Sequence, residues 1–146
     1  MIAYRLPFLR DTWNVLFTAW LVALVATFGA LFIGEVMGQA PCQLCWYQRI
    51  AMFPLVPILG IACQRDDSSV HRYALPLAGI GGLIALWHNL LFFEVIPETI
   101  QPCGQGPSCS SADMTVLGGL PLPVLSVVAF AVIFFLLFNI RHKTPL

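Results

Sequence analysis

Four apolar stretches divide the chain, and charged residues mark where each one stops. From Thr12 to Gly34, 23 residues without a charge lie between Asp11 and Glu35. About 20 apolar residues cross ~30 Å of hydrocarbon, so this stretch predicts a first membrane-spanning helix over about 12–34. A cleaved signal peptide is the competing reading, because Arg5 and Arg10 precede the stretch. Its apolar core exceeds the ~7–15 residues usual for such a leader.

The second stretch is more informative. Only 15 uncharged residues separate Arg49 from Arg65. At ~1.5 Å per residue they cover ~22 Å, too short to span. The helix must begin earlier, near Pro41 or Cys42, where proline suits a first turn that does not need its N–H. A span over about 42–63 therefore carries Arg49 inside it, about two turns from its end. The third span runs over about 73–93, uncharged apart from His88, and the fourth over about 121–140. Gly118-Gly119 breaks the chain before the fourth, and Pro121 and Pro123 fit its first turn. Pro54, Pro57 and Pro76 fall inside spans, where neighbouring helices can satisfy the freed carbonyls.

Composition agrees with lipid as the solvent. The chain is 59% hydrophobic and 10% charged, against roughly 25% charged in a soluble domain. The zero net charge offers nothing to nucleic acid. The expectation is an all-α membrane protein, a single domain over 1–146 built as a four-transmembrane-helix bundle. Arg5, Arg10, Arg65, Arg72, Arg141 and Lys143 fall on one side and only Arg49 towards the other. The positive side faces the cytoplasm, so both termini are expected there, with the loop over about 94–120 outside.

Of the five cysteines, Cys42, Cys45, Cys103 and Cys109 then lie at or beyond the outer face, where disulfides persist. In "PCQLCWYQR", Cys42 and Cys45 sit at i and i+3, on one face of a helix. A helix's first turn offers unpaired N–H groups and a positive dipole end, which favour a reactive thiolate. Arg49, at i+4 from Cys45, reaches the same face and could steady that thiolate or an anionic partner. A structural disulfide with Arg49 snorkelling to the headgroups is the plainer alternative. Trp46, not His, follows the CxxC, which excludes a c-type haem site. The second pair lies in "PCGQGPSCSS", in a loop long enough to suggest function, although a simple staple fits the same spacing. Two pairs on one face suggest a relay through mixed disulfides. With no nucleotide-binding loop and no haem motif, the simplest terminal acceptor at this depth is a lipid-soluble quinone.

Taken together, "PCQLCWYQR", "ALWHNLLFF", "PCGQGPSC" and "LPLPVLSVVAF" resemble the DsbB family, including its shorter BdbC-type members, over about residues 12–140. The resemblance implies a quinone-dependent protein thiol:disulfide oxidoreductase of the bacterial inner membrane. Its redox cysteines would face the periplasm or cell exterior. A soluble DsbA-like partner of thioredoxin fold would attack Cys103. Cys109 would leave and pass electrons to Cys42, releasing Cys45 beside ubiquinone or menaquinone. Arg49 would hold the quinone. The chain departs from longer members in the short spacing of Cys103 and Cys109.

His88 could bond a quinone oxygen or move a proton, or simply pair with a helix carbonyl. Trp46, Tyr47 and Trp87 fit an interfacial aromatic belt. Glu35, Glu94, Glu98 and Asp113 read as a solvated rim, and Cys63 as a small apolar residue without a catalytic part. "MTVLGGLPLP" is apolar enough to lie flat on the outer surface. No metal is expected. Two other classes compete: a membrane protein binding zinc through Cys42, Cys45, Cys103 and Cys109, and a structural subunit with inert disulfides.

Overall fold

The computed structural model describes residues 11–97, 115–116 and 118–143. Cys103 and Cys109, with Glu98 and Asp113, lie outside the described residues. Among those described, four helices are long and apolar enough to cross a membrane. They are α1 (Thr12–Leu31), α2 (Gln43–Arg65), α3 (His71–Phe92) and α4 (Leu122–Lys143). The protein is therefore a multi-pass membrane protein of all-α class.

The helices close into a ring: α1 packs on α2 and α4, and α3 packs on α2 and α4. Large apolar side chains such as Phe28, Ile61, Ile80, Leu83 and Phe135 point outwards and are exposed. That is the arrangement a lipid solvent permits, since hydrocarbon outside is as apolar as the interior. The inner face is filled by Leu16, Leu55, Leu59, Phe130, Ile133 and Leu137, with small residues such as Ala19, Ala51, Ala74 and Ala78 between them.

One small residue permits a close fit. A Cβ on Gly81 would overlap the Phe130 ring and come within 2.9 Å of Ala51 Cβ. Glycine there lets α4 press an aromatic ring into α3 while α2 stays in contact behind it. Near the other end of α3, Asn89 ties it to α4: Nδ2 donates to Ala85 O (2.9 Å) and to Pro123 O (2.7 Å). The proline carbonyl thereby gains a donor in a buried setting.

Several boundaries differ from the charge-gap reading. Pro41 lies just before α2, because Cys42 is the N-cap, with extended backbone and its sulfur accepting from Cys45 N–H. Pro121 belongs to a short strand, and Pro123 is the proline within the first turn of α4. That strand, β2 (Leu120–Pro121), pairs antiparallel with β1 (Thr115–Val116). Gly118 and Gly119 make the reversal at φ of 82° and 150°, angles that L side chains resist. The apolar stretch before the fourth span is thus a hairpin. At the other face, Asp66 closes α2 in the left-handed region, its N–H on Ala62 O. Ser69's hydroxyl and N–H both donate to Asp67 and hold its carboxyl below the usual range.

α1 ends in a widened π turn, Phe32–Val36. There Met37 N–H reaches back five residues to Phe32 O. Single π turns of this kind recur at functional sites, because they shift the register of the carbonyls around them. The site begins here.

Candidate functional site

The sulfurs of Cys42 and Cys45 lie 2.8 Å apart and both cysteines are free thiols. Helical spacing makes this possible: Cys42 is the cap and Cys45 sits in the first turn above it. Cys45 N–H donates to Cys42 Sγ at 3.3 Å. The sulfur therefore occupies the place a serine or aspartate oxygen takes at other helix starts. The dipole of α2 acts on this end of the helix and favours a negative charge on the dithiol as a unit.

α3 contributes an imidazole. His88 is only 1% exposed, and its Nε2 stands 3.8 Å from Cys42 Sγ. Its other nitrogen, Nδ1, lies 3.0 Å from Gln48 Nε2. With the amide donating to Nδ1, the ring proton sits on Nε2, facing the sulfur. Gln48 is itself buried. A chain of amide, imidazole, thiol and thiol thus runs through the junction of α2 and α3, walled by Leu44 and Leu91 with Ile84, Phe92 and Leu122.

Arg49 points elsewhere. Its Nη2 donates to Ala30 O at 2.9 Å, and the guanidinium lies over the Trp46 ring, 5.3 Å from its centre. Ala30 lies two residues before the π turn, and Gly34 lies within it. A Cβ on Gly34 would meet Nη2 at 2.9 Å, so the missing side chain leaves the notch in which the cation rests. A cation within hydrocarbon depth requires such partners, and one carbonyl leaves other N–H donors of the fork for a ligand. Trp46 and Ile50 beside it are exposed, so this flank opens towards lipid.

The structure therefore brings Cys42, Cys45 and His88 together, within 4.8 Å of one another at their ligand atoms. Arg49 occupies a neighbouring notch between α1 and α2. Trp46, Tyr47 and Trp87 are all exposed at this end. Cys63 lies in the apolar packing of the opposite end. Gln48, Gly34 and Ala30 escaped the sequence reading. Gln48 alone left a readable sign. Leu44, Gln48, Met52, Leu55 and Leu59 recur at helical spacing, and one polar residue on that stripe inside a membrane span marks a buried hydrogen bond.

A membrane bundle that holds a dithiol on the first turn of a span, against an imidazole and beside a guanidinium, has the build of a membrane thiol-exchange protein. The family model for disulfide bond formation protein DsbB matches residues 11–140. The chain is 59% identical over 134 residues to a probable disulfide formation protein of Metapseudomonas resinovorans, covering 91% of this chain and 93% of that one. It is 42% identical over 120 residues to disulfide bond formation protein C of Bacillus subtilis, covering 81% and 86%. It is also 42% identical over 137 residues to a probable disulfide formation protein of Deinococcus radiodurans, covering 88% of each. No solved structure matches. The chain belongs to the DsbB family of disulfide bond formation proteins, which implies thiol:disulfide oxidoreductase activity.

Proposed function

We propose that the chain reoxidises a soluble DsbA-like thiol oxidase at the outer face of the bacterial inner membrane and delivers the electrons to a membrane quinone. Both termini would lie in the cytoplasm. The observation that carries this reading is the dithiol of Cys42 and Cys45, set at the membrane-boundary turn of α2 with His88 against one sulfur and Arg49 one turn below the other. Each cycle moves two electrons and two protons. A thiolate of the partner attacks Cys103 and expels Cys109; the partner's second thiol then completes its own disulfide. The Cys109 thiolate attacks Cys42 of an oxidised Cys42–Cys45 pair, and Cys45 leaves as thiolate. Collapse of Cys103 onto Cys109 then frees Cys42.

The residues fit a quinone. Arg49 offers a cationic fork, Trp46 an aromatic face, and the flank beside them is open to lipid. When bound, a quinone supplies a two-electron, two-proton acceptor. Arg49 would hold its oxygen, and the guanidinium charge favours the Cys45 thiolate. Of the two roles open to His88, the 3.8 Å contact with Cys42 supports proton handling on that sulfur. Cys42 is buried, so exchange with the loop requires the chain covering it to move aside.

The test mixes purified protein with reduced partner and a soluble quinone analogue, following quinone absorbance and partner thiols together. One quinone reduced per two thiols lost is expected. Partner oxidation that proceeds without quinone consumption would remove the reading.

A further inference from the structure

We propose that the reduced site also binds a soft divalent cation through Cys42 Sγ, Cys45 Sγ and His88 Nε2. Cobalt, zinc and cadmium ions are of this class. The three donor atoms come from two helices and already lie within 4.8 Å of one another. Two sulfurs and an imidazole are the donor set such ions prefer. Zn–S bonds of ~2.3 Å in a tetrahedron put two sulfurs about 3.8 Å apart. The present sulfur separation is 2.8 Å, so a small rotation of one thiol, away from the other, opens the site. The 3.8 Å between Cys42 Sγ and His88 Nε2 already fits.

Charge supplies the stronger argument. Two adjacent thiolates in a low-dielectric setting repel each other and lose hydration, so the reduced pair resists double ionisation. One divalent cation balances both. It displaces two thiol protons and leaves a neutral unit with a neutral imidazole. Metal on Nε2 moves the ring proton to Nδ1, and Gln48 can meet it by turning its amide end for end, so that Oε1 accepts. Three protein donors leave a fourth position for water. The site exists only while the pair is reduced, because a disulfide has no charge to offer. Sulfurs held by the ion cannot exchange, so the ion blocks the dithiol.

Full-length protein in detergent, reduced with a phosphine, would be titrated with Co²⁺. A sulfur-to-cobalt charge-transfer band saturating at one ion per chain is expected, with two protons released. Oxidising the pair beforehand should abolish the band. His88→Ala should weaken binding by at least about tenfold, whereas Cys63→Ser should leave it unchanged. X-ray absorption of the Cd²⁺-loaded native protein needs no variant, and should show two sulfurs with an imidazole nitrogen. A four-sulfur shell, undiminished affinity in His88→Ala with that native shell lacking nitrogen, or binding by the oxidised protein would each overturn the proposal. Because the readout is the metal itself, a failed quinone assay leaves this result standing, and the reverse also holds.

Discussion

Cys42 and Cys63 are free, buried thiols on one helix, and they keep opposite company. Cys63 is packed among Leu59, Val70, Ala74 and other apolar residues of the main core. Cys42 has a second sulfur, a backbone N–H and an imidazole within reach. Burial is shared, so burial does not make a thiol functional. What differs is whether the surroundings can stabilise a charge or receive a proton. The α2 N-terminus supplies both at one end of the span, whereas at the other end apolar packing and the nearby Asp66 carboxylate disfavour a charge on Cys63.

The sharpest way to break this contrast is to remove sulfur at each end. Cys45→Ser should reduce partner oxidation to the uncatalysed rate in the coupled quinone assay, and a surviving rate would equate the two ends of α2. Arg49→Ala comes next. Losing a hydrogen bond from a charged group, worth ~1.5–3 kcal/mol, should raise the apparent KM for quinone by about tenfold or more and leave partner binding intact. Gly34→Ala should act in the same direction by a few-fold, since its methyl group displaces the guanidinium without discharging it.

Two further substitutions measure folding. Gln48→Leu strips His88 Nδ1 of its amide partner and should cost about 1–3 kcal/mol, whereas Gly81→Ala overpacks the Phe130 notch at a similar ~1–3 kcal/mol. Denaturation in mixed micelles compares them, and only Gln48→Leu should also change the turnover rate. The smallest effect belongs to Cys63→Ala: below about 1 kcal/mol and no change in rate, as expected for a residue that contributes only volume.

The same contrast explains what could be read from the sequence. The spans were legible because charges in hydrocarbon are costly, so gaps between Asp11, Glu35, Arg49, Arg65 and Arg72 nearly fix where helices lie. The pairing of Cys42 with Cys45 and the depth of Arg49 followed from helical geometry alone. The faces were not legible. These helices are apolar nearly all round, so no polar stripe tells which side meets a neighbour. The meeting of His88 with Cys42 and Gln48 therefore needed the packing of α2 on α3. The seat of Arg49 depends on a π turn, which has no residue signature, and on a glycine that looks like any other in a span. The expectation that "MTVLGGLPLP" lies flat on the outer surface left its internal pairing open, and the hairpin within it has its turn signal in the paired glycines.

The ring of Phe130 works as a key cut for one slot. With it lodged at Gly81, α3 and α4 cannot slide lengthwise against each other without forcing the ring into backbone. Sliding one of these two helices past the other is then closed to the bundle as a way of matching a thicker or thinner bilayer, which leaves tilt of the joined pair or deformation of the lipid.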